Sequence, residues 1–233
     1  MGDWDSNPES RIPNPVKIEA SFVRSAASAS DLPRDGLAEI ALVGRSNVGK
    51  SSLINALVRQ RLARTSGAPG KTRLANIYRV ARGGRESLYL VDLPGYGYAR
   101  GDTSAFASLT RAYFGQDTRD RREGKAPPAL PAPPARPARR SALLVVDARH
   151  PGLENDLAAW SWLTDNVATR AIVATKIDKL SREERLRAMR TIEAVFEHPA
   201  TAVSAETGEG LDELWKLIDR LTNKTSGGTK TSG

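Results

Sequence analysis

The chain alternates short apolar runs with longer segments whose apolar residues recur at helical spacing. Residues 39–43, 142–146 and 171–174 are nearly continuous apolar runs, which is typical of central parallel strands buried on both faces. Residues 51–58 and 180–196 carry apolar side chains every three or four positions, as one face of a helix does. Strands that alternate with helices predict an α/β fold, in which a mostly parallel central sheet has helices on both faces and binds ligands at its carboxyl ends.

Weaker patterns add elements before and after this core. Residues 16–22 alternate between apolar and mostly polar side chains, which predicts an extra strand ahead of the first apolar run. Ser181, with Glu184 three residues later, forms a capping box, so the helix over 180–196 should begin there. The other predicted strands cover residues 77–80, 88–91 and 201–203, with a turn at 82–85, and the other predicted helices cover 102–114, 153–162 and 211–221.

Composition divides the chain into one domain with irregular ends. Residues 1–15 are rich in proline turns and residues 223–233 are mostly Lys, Thr, Ser and Gly, so both ends are expected to be disordered around a domain at 16–222. Six prolines lie between Pro127 and Pro137, among many arginines. Residues 115–140 therefore read as a flexible Pro/Arg-rich insertion, with a passive linker favoured over a PxxP recognition site.

Charge and cysteine content narrow the function classes. The 233 residues carry a formal charge of +8 and contain no cysteine, which excludes a disulfide framework and thiolate metal sites. No apolar run approaches the roughly 18 residues of a membrane span, and no signal-peptide core is present. We therefore expect a cytoplasmic protein without stable membrane insertion. The basic surface favours an anionic partner, although a merely solvated surface would have the same charge.

Residues 44–51 fit the phosphate-binding loop pattern G-x-x-x-x-G-K-[ST]. The apolar run at 39–43 precedes this stretch and the helical pattern at 51–58 follows it, so the loop joins a strand to a helix N-terminus. Backbone N–H groups and the helix dipole would then face phosphates. Lys50 is expected to reach the β and γ oxygens, and Ser51 to hold Mg²⁺.

A second motif follows the predicted strand at 88–91. Residues 92–95 read Asp-Leu-Pro-Gly. An aspartate there can hold the water shell of Mg²⁺, and the Gly95 amide can sense a γ-phosphate. Such a tetrapeptide alone is more often a structural turn, but its position at a strand end after a phosphate loop favours the functional interpretation.

A third group of residues points to a guanine base. Residues 175–178 read Thr-Lys-Ile-Asp after a predicted strand, and the Asp178 carboxylate can accept from the guanine N1–H and N2–H, which adenine does not offer. Lys176 can lie over the base plane. Residues 203–205 could place backbone amides against the guanine O6, and Thr72 is the candidate second hydroxyl ligand of Mg²⁺.

Five stretches carry a specific resemblance: residues 38–57, 63–66, 69–72, 92–99 and 147–150. They closely resemble the EngB (YihA/YsxC) family of ribosome-biogenesis GTPases in the TrmE-Era-EngA-EngB-like superfamily. The resemblance implies a three-layer Ras-like P-loop GTPase fold, binding of GTP or GDP with Mg²⁺, and slow hydrolysis. It also implies a monomer that associates with the large ribosomal subunit, and a role in cell division and septation.

The motifs and the resemblance together define an expected site. Ser51 and Thr72 are the expected metal ligands. The residues expected to contact GTP are Gly44, Arg45, Ser46, Asn47, Val48, Gly49, Lys50, Ser51, Gly70, Lys71, Thr72, Arg73, Leu74, Asp92, Leu93, Pro94, Gly95, Thr175, Lys176, Ile177, Asp178, Val203, Ser204 and Ala205.

Three positions need separate comment. Thr175 stands where many GTPases have Asn, which removes one amide that tethers the phosphate loop. Tyr96 follows Gly95, where Ras-like enzymes place a water-orienting Gln, so the catalytic group is unassigned and only Lys50 and Thr72 are expected to assist. Asn47 matches a position that coordinates a monovalent cation in related GTPases, and the resemblance therefore implies that K⁺ accelerates hydrolysis.

Two alternative functions stay open on sequence. An ATP-dependent small-molecule kinase also begins with a phosphate loop, although the motif at 175–178 argues against it. A nucleotide-binding interaction or septation protein without significant catalysis is compatible with the missing Gln.

Overall fold

The computed structural model describes residues 16–28, 31–64, 74–96, 110, 113–114 and 139–223. Residues 1–15 and 224–233 of the predicted disordered ends, nearly all of the predicted insertion and most of the predicted helix at 102–114 lie outside these residues. Asn223, predicted as the first residue of the disordered tail, is instead the last residue of a helix. Thr110, Tyr113 and Phe114, from that last segment, are helical and buried.

Seven strands form a single sheet in the order β1-β3-β4-β2-β5-β6-β7. Strands β2, β4, β5, β6 and β7 run parallel, while β3 runs antiparallel to both of its neighbours, β1 and β4. The predicted extra strand is confirmed as β1 at the sheet edge. The strands are β1 (Ile18–Ala26), β2 (Ala38–Val43), β3 (Ala75–Arg82), β4 (Leu88–Asp92), β5 (Arg140–Asp147), β6 (Arg170–Thr175) and β7 (Ala200–Ala202).

Helices cover both faces of the sheet, as the apolar spacing predicted. The described residues include α1 (Lys50–Val58), α2 (Glu154–Asn166), α3 (Arg182–Phe196) and α4 (Leu211–Asn223). Buried residues of α1 and α4 belong to one hydrophobic cluster, and those of α2 and α3 belong to a second cluster. Because the two clusters lie on opposite faces of a shared sheet, the fold has three layers.

The capping box at the start of α3 is also confirmed. The Ser181 hydroxyl accepts from the Glu184 amide, and the Glu184 carboxylate accepts from the Ser181 amide at 2.9 Å. Two otherwise unsatisfied backbone groups at the helix start are thereby paired.

One edge of the sheet collects the carboxyl ends of the parallel strands. Four of the predicted motifs begin where β2, β4, β6 and β7 end. The parallel registers place these strand ends side by side. The sheet therefore brings together motifs that are far apart in sequence.

The predicted insertion extends too far at its C-terminal end. Arg140, predicted to lie in it, is the first residue of β5, and its side chain is only 5% exposed. Its Nε donates to Glu39 at 3.2 Å and its guanidinium donates to the Tyr113 carbonyl at 2.8 Å. The boundary prediction was wrong because composition alone does not show that one arginine has a buried carboxylate partner.

None of the described helices is long and apolar enough to cross a membrane.

This correction gives the first prediction. Arg140→Met should lower the free energy of unfolding by about 3 kcal/mol, because the Glu39 carboxylate loses the guanidinium of a buried ion pair. Arg139→Met is the matched control, since Arg139 is 42% exposed and its ion pair with Glu86 spans 3.6 Å. The control should change stability by less than about 1 kcal/mol. Urea unfolding followed by tryptophan fluorescence measures both, and equal losses would contradict the burial argument.

Candidate nucleotide-binding site

The phosphate loop joins β2 to α1, as predicted. Gly49 precedes the helix with φ 108°, and Asn47 has φ 61°, so the backbone turns tightly through left-handed conformations. Lys50 is 7% exposed, and its ammonium donates to the carbonyls of Gly44 at 2.8 Å and Arg45 at 3.1 Å. Burial lowers the pKa of Lys50, whereas the nearby Asp92 carboxylate opposes this shift. A buried cation thus lies within the loop that should receive phosphates.

Ser51 and Asp92 meet beside this cation. The Ser51 hydroxyl donates to Asp92 Oδ2 at 2.6 Å, across 41 positions of sequence. Asp92 is 3% exposed, and burial raises its pKa although Lys50 and Ser51 act in the opposite direction. Hydroxyl and carboxylate oxygens are the ligands that Mg²⁺ prefers, and it commonly uses one or two carboxylates together with substrate phosphates. The Ser51 hydroxyl and the Asp92 carboxylate therefore supply oxygens of the kind that fit a nucleotide-bound Mg²⁺.

The Asp-Leu-Pro-Gly motif lies directly against the phosphate loop. The Ser46 amide donates to the Tyr96 carbonyl at 3.1 Å, and the backbone of Arg45 pairs in parallel with Tyr96. A Cβ atom at Gly95 would lie 2.6 Å from Ser46 N, so only glycine fits. Leu93 is buried, and its amide donates to Leu42 at the end of β2. Residues 92–95, with Pro94 between these contacts, are thus anchored at both ends.

Thr175 is tied to the same loop from the other side. Its hydroxyl oxygen lies 2.8 Å from the Val48 carbonyl and 3.0 Å from the Val146 carbonyl. A hydroxyl carries one proton, so it donates to one of these carbonyls at a time. The sequence alone predicts that threonine in place of Asn costs the loop one tethering amide. The structure shows that the threonine hydroxyl provides one instead.

Lys176 bridges the phosphate loop to β5. Its ammonium donates to the Asn47 carbonyl at 2.7 Å and to Asp147 Oδ2 at 2.9 Å. Arg149 also donates to both oxygens of Asp147, at 3.0 and 2.8 Å. Burial alone would raise the pKa of Asp147, but the hydrogen bonds from Arg149 and Lys176 outweigh it and hold the pKa well below its usual range. Asp147 was not predicted as a site residue, although an acidic residue at the end of a buried strand was a usable signal.

Asp178 and Ser204 form the expected base-reading end. The Ser204 hydroxyl donates to Asp178 Oδ1 at 2.7 Å and accepts from the amides of Glu206 and Thr207 at 3.2 and 3.1 Å. The hydrogen bond from Ser204 lowers the pKa of Asp178, so the carboxylate is an acceptor at neutral pH. The side chain of Lys179 pairs with the other carboxylate oxygen at 3.0 Å.

The remaining predicted residues divide into three groups. Ile177 and Val203 are buried in the two cores beside Asp178 and Ser204, and Ala205 continues the loop after Ser204. Leu74 lies directly before β3 and is 39% exposed. Gly70, Lys71, Thr72 and Arg73 lie outside the described residues, so their contacts with nucleotide and metal stay predictions.

Sequence reasoning missed a buried cluster beneath the phosphate loop. Asp156, in the first turn of α2, is fully buried and accepts from Arg45 Nε at 3.2 and 3.1 Å and from the Tyr96 hydroxyl at 2.7 Å. Burial, together with Asp156, raises the pKa of Tyr96 well above its usual value, so its hydroxyl is a donor. No motif marks Asp156, because an acidic residue in the first turn of a helix is common for helix-dipole reasons alone.

Comparison with known proteins decides the family. The model for the 50S ribosome-binding GTPases matches residues 39–176, more than half of the chain. A probable GTP-binding protein EngB from Heliobacterium modesticaldum is 40% identical over 210 residues, spanning 88% of this chain and 93% of that protein. The chain belongs to the EngB family of GTP-binding proteins. A second EngB relative, from Chlorobaculum tepidum, is 40% identical over 209 residues, which cover 87% of this chain and 97% of that protein.

This membership settles the type of protein. The EngB-family chain is a GTPase, and not the ATP-dependent kinase that a phosphate loop alone left open. Solved structures show the same fold. Era from Aquifex aeolicus, bound to GDP and aluminium fluoride, matches with a TM-score of 0.62 at 22% identity, covering 82% of this chain and 58% of that chain. A crystal structure of a probable GTP-binding protein engB matches with a TM-score of 0.55 at 20% identity, covering 81% and 100%. The predicted Ras-like P-loop GTPase fold is confirmed.

The base-reading assignment yields the second prediction. Asp178→Asn should shift preference from guanine to xanthine, because an amide can donate where the carboxylate only accepts. Competition between xanthosine triphosphate and GTP, measured on the wild type and the variant, tests this. Xanthosine triphosphate should win on the variant alone; the same ranking on both proteins would show that Asp178 does not read the base.

Proposed function

We propose that this EngB-family GTPase is a Mg²⁺-dependent guanine-nucleotide switch that acts in assembly of the large ribosomal subunit. The observation that carries the proposal is the contact between Gly95 and Ser46. It places the segment that should sense the γ-phosphate directly on the loop that should hold it. Gain or loss of that phosphate would therefore be felt by both segments at once.

The phosphate end would bind the charged part of the nucleotide. Lys50 would exchange its bonds with the Gly44 and Arg45 carbonyls for charge-assisted bonds to the β- and γ-phosphates. Ser51, joined by Thr72 from outside the described residues, would hold Mg²⁺, and Asp92 beside Ser51 would hold its water shell. When bound, Mg²⁺ neutralises charge on the phosphates.

The base end would select guanine. Asp178 is kept ionised and oriented by Ser204, and would accept from the two guanine N–H groups. Lys176, held between the Asn47 carbonyl and Asp147, would cover the base plane. An adenine would leave the carboxylate without its donors, which costs binding free energy.

Slow hydrolysis follows from the residue after Gly95. Tyr96 stands where Ras-like enzymes carry Gln, and its hydroxyl donates to the buried Asp156. It is therefore directed into the protein and offers no amide to orient water. The acceleration of hydrolysis by K⁺ beside Asn47 stays a prediction.

An anionic ribosomal partner agrees with two findings. The family model that matches the chain is described as a 50S ribosome-binding GTPase. The net charge of +8 favours contact with RNA phosphates. We extend the proposal to a cytoplasmic monomer whose loss disturbs cell division and septation, as the family resemblance implies.

The third prediction tests the ribosomal partner. Binding to purified large subunits is measured at several KCl concentrations, with GDP and with a non-hydrolysable GTP analogue. The logarithm of the affinity should fall linearly with the logarithm of salt concentration, by about 0.7 to 0.9 per neutralised phosphate. The GTP analogue should bind the protein to subunits more tightly than GDP does.

The variant for this experiment avoids Arg140, which is buried. Arg121, Arg122 and Arg136, all in the Pro/Arg-rich segment, are replaced together by Gln, with Arg187, Arg190 and Lys216 replaced together as the control. If these arginines contact RNA phosphates, the first variant should lower the salt slope and leave GTP affinity unchanged; if the segment is only a linker, the slope should not change. If the affinity for large subunits changes with neither salt concentration nor bound nucleotide, the proposed ribosomal role is contradicted, while the GTPase assignment is unaffected.

A further inference from the structure

The cluster of Arg45, Tyr96 and Asp156 joins three separate elements. Arg45 belongs to the phosphate loop, Tyr96 ends the described part of the Gly95 segment, and Asp156 lies in the first turn of α2. A single fully buried carboxylate accepts from both other side chains, at 2.7 to 3.2 Å. Buried carboxylates are costly unless they are paired and hydrogen-bonded, so these contacts are mutually dependent.

Backbone contacts run parallel to this side-chain link. The Ser46 amide donates to the Tyr96 carbonyl at 3.1 Å, and Gly95 packs against Ser46 without room for a Cβ atom. The Tyr96 hydroxyl therefore anchors the same residue whose carbonyl closes the backbone contact. Removing the hydroxyl would delete the bond to Asp156 and leave Tyr96 held at the loop only by its backbone contact with Ser46 and Arg45.

We propose that Asp156 is a positioning residue, which acts through the Tyr96 hydroxyl to hold the Gly95 segment against the phosphate loop before a γ-phosphate binds. The inference rests on the proposed function in one respect, namely that the Gly95 amide meets the γ-phosphate. It differs from a switch in which the triphosphate alone orders this segment. Here α2 holds residues 92–96 in place through the bond between Asp156 and Tyr96.

Pre-organisation of this kind affects the two nucleotides differently. A site that is already arranged loses less conformational freedom on binding, and a site that is arranged only part of the time binds more weakly in proportion. GDP has no γ-phosphate and does not need Gly95 in place. Loosening the segment should therefore weaken binding of a GTP analogue and leave GDP almost unaffected.

Two conservative variants test the proposal. Tyr96→Phe removes only the hydroxyl, and Asp156→Asn keeps the shape of the side chain while removing its charge. Each should weaken binding of the analogue GMPPNP about fivefold, because one hydrogen bond to a buried charged group is lost or weakened. In Tyr96→Phe, GDP affinity should change by less than about twofold. Asp156→Asn also weakens the ion pair with Arg45 of the phosphate loop, so both nucleotides should lose affinity there, and GMPPNP should lose more. Isothermal titration calorimetry in Mg²⁺ measures both nucleotides, and thermal denaturation confirms that each variant is folded.

Tyr113→Phe is the matched control. Tyr113 is also buried, and its hydroxyl also donates to a buried carboxylate, that of Glu39, at 2.6 Å. It lies at the opposite end of β2 from the phosphate loop, since Glu39 is near the start of that strand. This control should lose stability, as the other variants do, but its ratio of GMPPNP to GDP affinity should equal that of the wild type.

The double variant, Tyr96→Phe with Asp156→Asn, decides whether the two residues act as one unit. The effects of substituting residues that share one contact are not additive. The double variant should therefore bind GMPPNP no more weakly than whichever single variant has the lower affinity. Independent, additive losses would overturn the proposal. Equal weakening of GDP and GMPPNP would overturn it too, because Asp156 would then only stabilise the fold. Failure of the wild type to bind GMPPNP at all would instead refute the proposed function.

Discussion

The site depends on a lysine ammonium held inside its own loop. Lys50 is almost fully buried, and its nearest partners are two neutral carbonyls of the loop itself, with the Asp92 carboxylate close enough to oppose the shift of its pKa. A cation in such surroundings interacts strongly with an incoming anion, because little water screens it. The strand and the helix on either side of the loop fix the position of this charge. Much of the remaining site is arranged around it.

Two layers of contacts keep the loop in shape. On the base side, the Thr175 hydroxyl and the Lys176 ammonium bond to loop carbonyls. On the phosphate side, the Gly95 segment packs on Ser46, and the Tyr96 hydroxyl at its end donates to Asp156. Each contact joins the loop to a different strand end or helix start. A displacement of the phosphate loop should therefore move the segments bonded to it, through these specific contacts and without a loss of order elsewhere in the fold.

Sequence predicted much of this because the relevant signals are local. The loop at 44–51 between a strand and a helix, the capping box at Ser181 and the extra strand β1 were each predicted from residues close together in the chain, and the structure confirms these three elements. Residues 175–178, the expected guanine motif, could be located because they follow a strongly apolar strand. Order along the chain and position at strand ends then placed these motifs in a common site.

The missed features are contacts between residues distant in sequence. Asp156 binds groups 60 and 111 positions away, and nothing near it in the chain marks that role. Arg140 looked like one more arginine of a Pro/Arg-rich segment, because its partner Glu39 belongs to a strand 101 positions earlier. The sequence suggested that Thr175 costs the phosphate loop a hydrogen bond, for a similar reason. The Val48 carbonyl that its hydroxyl can reach is 127 positions away in sequence and comes close only because β6 lies beside the loop.

Calorimetry of Lys50→Ala with GTP and Mg²⁺ tests the central claim most directly. If the buried ammonium is the main attraction for the phosphates, GTP affinity should fall by about a hundredfold or more, the loss expected for charge-assisted contacts in a poorly screened site. Lys17→Ala is the comparison, since Lys17 is 83% exposed just before the edge strand β1 and should bind GTP as the wild type does. A folded Lys50→Ala protein with unchanged GTP affinity would contradict the assignment of the phosphate loop.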